Sequence, residues 1–434
     1  GRSKDDKTFG RPENSTIAGD EPYEEKKGNP AADRIAVDGK VAADSLAALE
    51  VKRQQEEQWM KDEYVPVTSF IHTLSFDNYR RIYQAYQTPT DFYADTYDMD
   101  LRLGGDSIYD KTRHYSLKNT LAIAMLEGFN KWAKAGLKIF ATSELRHFSL
   151  PAPTMGTDSY NEHNLSIGAQ MNKTQGSFRF NATAEATLTG TDAGQLKLNG
   201  QTDLRLPLLG DTLKIDAKAG MERLVPTFYY RHYHARHLWW DKTLDKETRA
   251  NLEGVLTFSH TKTRLRVAFS DIKNYTYFAQ RYTITEGYGR TGNTVEPLQH
   301  TGNITLLTLQ LDQNFRFGPV FWENNVTYQK SSNQEVLPVP ELNLYTNLYL
   351  RFKIAKVLKV DLGADMRYFT KYFAPDYSPA LGQFAIQDNG EQNVKTGSYP
   401  IVNVYANMHL KRTRFFIMMS HVNATDGNAF LTPH

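Results

Sequence analysis

The chain of 434 residues contains no cysteine. This absence excludes a disulfide framework and a thiolate metal site. The sequence also lacks any run approaching the roughly 20 consecutive apolar residues that a membrane-spanning helix needs, which argues against a helical membrane protein. The formal net charge is only +2, so the charge balance gives no reason to expect a nucleic acid as partner.

Aromatic residues are plentiful, with 25 Tyr and 23 Phe, whereas the mean hydropathy is only −0.56. A transmembrane β-barrel accounts for both observations. Its strands alternate apolar residues on the lipid side with polar residues on the lumen side, so the average stays low, and aromatic side chains gather at the two membrane interfaces.

Side chains alternate cleanly with a period of two from Val65 onward, as expected of half-buried strands. From Leu358 to Tyr372 one face is largely polar and the other is largely apolar. The stretch from Asn343 to Ile354 divides in the same way. The polar residues that we predict to line the pore are Arg351, Lys353, Lys359, Asp361, Asp365, Arg367, Lys371, Lys214, Asp216 and Lys218.

About fifteen alternating segments can be counted, each near or above the roughly 9 to 11 residues that cross a bilayer at a tilt. Their connections alternate between short and long, as in barrels with short periplasmic turns and long outer loops. The tight links are predicted at Asn130–Lys134, Asn172–Gly176, Leu209–Thr212, His260–Thr263, Phe317–Val320, Ala355–Val357 and Lys411–Arg414. The long stretches are Thr88–His114, Pro151–His163, Arg231–Lys246, Lys273–Thr301, Lys330–Pro340 and Ala374–Pro400, while the link Gly190–Gly194 is short although it should face outward.

The sequence therefore predicts an all-β fold, a transmembrane antiparallel up-and-down barrel of about 14 to 18 strands over residues 65–434. Residues 1–64 form a polar segment that is expected to be periplasmic or tucked into the lumen, with one helix at about 42–63. Because an odd number of strands is unusual in such barrels, we expect that a final C-terminal strand is lacking.

Five stretches, in order along the chain, resemble the putative porin family of Bacteroidetes outer membranes. They are "YVPVTSFIHTLSF" (Tyr64–Phe76), "LEGFNKWAKAGL" (Leu126–Leu137), "FYYRHYHARHLWW" (Phe228–Trp240), the long run from Asn314 to Ala380, and "VNVYANMHLKRTRFFIMMSHVN" (Val402–Asn423). The resemblance implies an integral outer-membrane barrel in contact with lipid and lipopolysaccharide. It implies no catalytic residue and no cofactor. Members of the family usually carry further strands before the first stretch and end in a strand with a terminal aromatic residue, and this chain shows neither.

Two motifs suggest chemistry. His232, His234 and His237 form the densest histidine cluster, and the first two share a face of an extended strand and could bind a transition metal. Histidines also gather at membrane interfaces, however, and the sequence shows no acidic third ligand at a fixed spacing. "GDSI" at Gly105–Ile108 resembles the start of certain esterase motifs, yet Gly, Asp and Ser are ordinary turn residues. We therefore predict neither a metal site nor catalysis. The Asn-x-Ser/Thr matches, among them Asn172, Asn303 and Asn325, are disregarded, because most fall inside predicted strands and the expected host is bacterial.

The function expected from these features is passive diffusion of small hydrophilic solutes through a porin-like channel. Since positive and negative lumen residues are interleaved, we expect a weak ion preference. Long loops such as Ala374–Pro400 are expected to fold inward and to contribute to selectivity. The alternative is a non-conducting barrel subunit of an outer-membrane complex, docked to other outer-membrane proteins through the helix at 42–63 or the outer loops.

Overall fold

The computed structural model describes residues 47–53, 68–98, 107–125, 135–153, 156–174, 176–208, 210–285 and 289–424. Residues 47–53 form a helix, α1, whose residues are exposed. The rest of the helix predicted at 42–63 lies outside the described residues. Among the residues described, no helix is both long and apolar enough to cross a membrane.

Strands dominate the fold. The long ones are β1 (Thr68–Ala85), β2 (Ile108–Met125), β3 (Gly136–Pro151), β4 (Thr157–Lys173), β5 (Phe178–Thr189), β6 (Leu196–Leu208), β7 (Asp211–Leu224), β10 (Glu247–Phe258), β11 (Thr263–Ile284), β12 (Arg290–Phe317), β13 (Val320–Ser331), β14 (Leu342–Ile354), β15 (Leu358–Phe369), β18 (Ile401–Leu410) and β19 (Thr413–Met419). Between them lie a short helix α2 (Phe228–Arg231), a 3-10 turn at Gly390–Gln392, and the short strands β8 (His232–His234), β9 (Trp239–Asp241), β16 (Asp376–Ser378) and β17 (Gln383–Gln387).

The fifteen long strands pair antiparallel with their sequence neighbours, from β1 to β7 and on through β10 to β15, β18 and β19. This is the meander of an up-and-down barrel, so the predicted fold class is confirmed. In the described part of the chain no hydrogen-bonded pairing joins β1 to β19.

Tight turns join the strands at the end that the sequence assigns to the periplasm. Ala355 and Lys356, between β14 and β15, both adopt positive φ values, 49° and 61°. Two adjacent residues of that conformation form the hairpin turn whose twist matches that of the flanking strands. The predicted links at Phe317–Val320, Ala355–Val357 and Lys411–Arg414 are found as tight turns, with one positive-φ residue in the first (Gly318) and one in the last (Lys411). The predicted link at Asn130–Lys134 lies outside the described residues.

The outer connections are shorter than predicted, because the strands continue well past the length that a bilayer needs. β11 has 22 residues and β12 has 28, and both extend into the stretch 273–301 that the sequence indicated as a loop. Residues such as Tyr275, Tyr277 and Thr294 favour an extended backbone, and the two strands pair with each other up to Ile284 and Arg290. β2 and β4 likewise begin inside predicted loops.

Candidate functional site

One face of the sheet carries polar side chains on every strand, and the inward loops pack against this same face. Arg81 on β1 marks it, because its guanidinium contacts Tyr233 and Ala380 of those loops. Followed from strand to strand, the register of paired residues places Glu253 on β10 and Asp361 on β15 on the same face as Arg81. We call it the inner face.

Three of the predicted pore-lining residues lie on β7 and take part in ion pairs on the inner face. The amino group of Lys214 is 2.8 Å from a carboxylate oxygen of Asp216. Lys218 lies 3.2 Å from Glu253 on the neighbouring strand, and the second oxygen of Glu253 is 2.7 Å from Arg266. Pairing across strands thus neutralises part of the charge of this section of the wall.

A second paired group lies on β14 and β15. Arg351 donates two hydrogen bonds to Asp361, of 2.7 and 3.0 Å, in the parallel geometry that suits a guanidinium and a carboxylate. Its guanidinium carbon also lies 4.7 Å from the centre of the Phe321 ring. Asp365 accepts a hydrogen bond of 2.9 Å from the side chain of Asn403.

The remaining predicted residues have no ion pair in the part of the chain that the structure describes. Lys353 lies directly opposite Lys359 across the strand pair. Arg367 stacks its guanidinium carbon 5.7 Å from the centre of the Tyr345 ring, and Lys371 is exposed just beyond β15. Whether all ten residues line a conducting pore stays a prediction.

Several charged residues of the same wall were missed from the sequence. Glu323 accepts hydrogen bonds from Asn347 and Tyr349, and Arg264 lies 3.2 Å from Asp312. Their signal in the sequence was weaker, because only one of the two neighbours of each of these charged residues is apolar. A recess of about 600 Å³ opens on this side of the wall, lined mainly by polar residues of β4 to β7, β10 and β11.

The outer part of the lumen contains a cluster built from two of the long connections and from β11 and β12. Its buried residues are Tyr233, Ala235, Leu238, Trp240, Phe278, Val295, Ala380, Leu381 and Ala385. The segment 374–400 therefore folds inward, and it meets the segment 225–246. We call this group the loop cluster.

Hydrogen bonds tie the loop cluster to the strand wall. Arg81 donates to the hydroxyl of Tyr233 and to the carbonyl of Ala380, both at 2.6 Å. β17 adds to β11 as a short parallel strand, and Arg281 forms an ion pair of 2.7 Å with Asp388 just beyond β17. Burial raises the pKa of Tyr233 to about 12, so its hydroxyl stays protonated at neutral pH and donates to the carbonyl of Ala380.

Two of the candidate histidines share an aspartate that the sequence did not indicate. The β8–β9 hairpin places Asp241 opposite His232, and the two Asp241 oxygens lie 2.6 Å from His232 and 3.0 Å from His234. Burial favours the neutral carboxyl, but hydrogen bonds from both imidazoles outweigh it and hold the pKa of Asp241 below its usual value. His237 instead stacks on Tyr93.

Neither chemical motif gains support as a reactive site from its surroundings. Within the described ranges, no group of three or more His, Asp or Glu residues could hold a metal ion. In the "GDSI" motif, Gly105 and Asp106 lie outside the described residues. The carbonyl of Ser107 accepts a hydrogen bond of 2.9 Å from Arg236, and Ile108 is fully buried at the start of β2.

Comparison with known proteins gives one family match and several structural ones. The family described as "Putative porin" matches residues 26–434. No curated protein matches the chain. The ferric enterobactin receptor of Pseudomonas aeruginosa is similar in structure, with a TM-score of 0.55, 12% identity, and coverage of 83% of this chain and 55% of the receptor. A siderophore receptor of Acinetobacter baumannii is similar with a TM-score of 0.52 and 12% identity, and the match covers 82% of this chain and 56% of the receptor. The chain thus spans about half the length of these receptors, and the similarity shows the fold alone.

Proposed function

The chain belongs to the putative porin family of outer-membrane β-barrels, and from that premise we propose that it forms a channel for passive diffusion of small hydrophilic solutes. The proposal rests on one observation above all. The face that encloses the loop cluster is polar and charged from strand to strand, as the wall of a water-filled lumen must be.

The loop cluster supplies the constriction of this proposal. It lies at the outer end of the lumen and is fixed to β1 and β11, so it narrows the path by which a solute enters. Below it, charged residues such as Arg367 and Lys353 are free of ion pairs in the described part of the chain and are available to interact with a passing ion. No chemical step is part of the proposal.

Single-channel conductance of the purified full-length protein in planar bilayers tests the proposal. We expect stable current steps, and we expect that Arg367→Glu with Lys371→Glu raises the preference for cations. Lys330→Glu is the matched control, because Lys330 is also exposed but lies on the opposite, lipid-facing side of β13. Absence of current from protein that is shown to be folded would contradict the proposal.

A second candidate is a non-conducting barrel subunit of an outer-membrane complex. The cross-strand pairs favour it, since Arg351 with Asp361 and Lys218 with Glu253 neutralise charge that a pore could otherwise use. The two candidates differ in measurable ways. A structural subunit would carry no current, and it would co-purify with partner proteins in amounts that fall when residues 42–63 are deleted.

A further inference from the structure

One row of the inner face is entirely basic. Lys353 on β14 lies directly opposite Lys359 on β15, Lys359 lies opposite His409 on β18, and His409 lies opposite Arg414 on β19. Four neighbouring strands therefore place a basic side chain at the same level, near the tight turns. We call these four residues the basic row.

The basic row belongs to the lumen side of the wall. Arg351 and Asp361 form an ion pair on the inner face. Lys353 lies two residues from Arg351, and Lys359 lies two residues from Asp361. Because side chains two positions apart share a face of a strand, both lysines lie on the inner face. All four residues of the row are exposed. Arg414 donates a hydrogen bond of 3.4 Å to Asn407, the inner-face residue one level above.

No acidic residue accompanies the basic row along the chain. There is none between positions 352 and 360 and none between 401 and 425, whereas the adjoining turns add Lys356, Lys411 and Arg412. Neither Lys353 nor Lys359 forms an ion pair or a side-chain hydrogen bond within the described ranges.

Such an arrangement weakens the sheet. Neighbouring strands lie about 4.8 Å apart, and like charges directly opposite each other across a strand pair are destabilising. Elsewhere in the wall opposite charges face each other, as Lys218 and Glu253 do. The like pair Arg205 and Lys214 lies across β6 and β7, but each of these two side chains has an aspartate within ion-pair distance on its own strand. An anion in the lumen would offset the repulsion between these basic side chains, and this relief would favour binding of the anion.

We infer that the basic row binds small multivalent anions, of the carboxylate or phosphate class, as they pass through the lumen. This inference rests on the proposed channel function. Three strand spacings give the row a length of about 14 Å, so it can engage several anionic groups of one molecule at once. A neutral solute or a cation would gain nothing from it.

Isothermal titration calorimetry with citrate tests the site without requiring current. The full chain, folded in a neutral detergent, is compared with the double variant Lys353→Gln/Lys359→Gln and with the control Lys330→Gln on the lipid-facing side. We expect the double variant to bind citrate at least about tenfold more weakly and the control to bind like the parent protein. Lys353→Arg/Lys359→Arg should restore binding, because it preserves both charges. Equal citrate affinity in the parent and the double variant would overturn the inference.

Reversal potentials in planar bilayers separate the failure of this site from the failure of the channel. If the protein carries current, the parent should favour anions and the double variant should lose that preference. If it carries no current but citrate binding still depends on Lys353 and Lys359, the anion site stands and diffusion through the lumen fails. Current with unaltered ion preference in the double variant would overturn the site alone. Displacement of citrate by an anionic phospholipid at equal concentration would assign the row to a lipid headgroup and also overturn the inference.

Discussion

Removal of one arginine should release the loop cluster from the barrel wall. Arg81 on β1 donates to the Tyr233 hydroxyl and the Ala380 carbonyl at 2.6 Å, and to the Pro379 carbonyl at 3.1 Å. It thus joins the first strand to two loop segments that lie about 150 and 300 residues further along the chain. Arg81→Ala leaves the direct hydrogen bond from Tyr233 to Ala380 in place, so the two loops remain attached to each other.

The size of the effect follows from these bonds. A hydrogen bond to a charged group contributes about 1.5 to 3 kcal/mol net, and three bonds to one side chain do not add in full. We therefore expect the free energy of opening the loop cluster to fall by about 3 kcal/mol. Since 1.4 kcal/mol corresponds to a factor of ten, the open population should rise roughly 150-fold.

Hydrogen exchange followed by mass spectrometry measures this change in the peptide that contains α2, β8 and β9. The protection of this peptide against exchange should fall by about two orders of magnitude in Arg81→Ala. Single-channel records of the variant should show more frequent opening of the channel. Arg80→Ala is the matched control, because Arg80 is the exposed neighbour on the lipid-facing side. Unchanged protection of this peptide in folded Arg81→Ala protein would refute the role of the side chain.

Three further predictions concern the wall and the β8–β9 hairpin. Gly363→Val should cost about 1 to 3 kcal/mol of unfolding free energy in urea titrations, because a Cβ there would lie 2.5 Å from the Tyr349 Cβ. Gly254→Ala should change it little, since nothing lies within 4 Å of the new Cβ. The pKa of Asp241 is lowered in the folded chain, so its stabilisation of the hairpin is present above its ordinary pKa and is lost as the pH falls through the lowered one. Hydrogen exchange of the hairpin should show that loss, and Asp241→Asn should abolish the pH dependence.

The strands could be predicted from the sequence because their pattern is local. A period of two over 12 or 13 residues identified β14 and β15, and the turn between them followed from the short link at 355–357. The inner-face placement of Arg351 relative to Asp361 needs only the alternation and the register that this turn sets. Bilayer thickness supplies the expected strand length, which is why the extensions of β11 and β12 beyond the membrane were not anticipated.

The loop cluster could not be predicted, because its contacts join distant segments of irregular sequence. Nothing near Arg81 indicates that Tyr233 and Ala380 will meet it. Asp241 was missed for a related reason: it lies seven residues after His234, a spacing that indicates no contact unless the β8–β9 hairpin is known. Segments whose partners are set by tertiary structure leave no periodic signal in the sequence.

The charge of the lumen wall depends on register, and composition alone misrepresents it. Along β15, Lys359 and Asp361 alternate in sign, which indicated a weak ion preference. Across the strands the signs separate, because Asp361 is paired with Arg351 while Lys359 lies between Lys353 and His409. A solute in the lumen meets the charges level by level and not in chain order. Near the tight turns it would therefore meet an unpaired positive level, and we expect selectivity to be set there, although the chain as a whole is almost neutral.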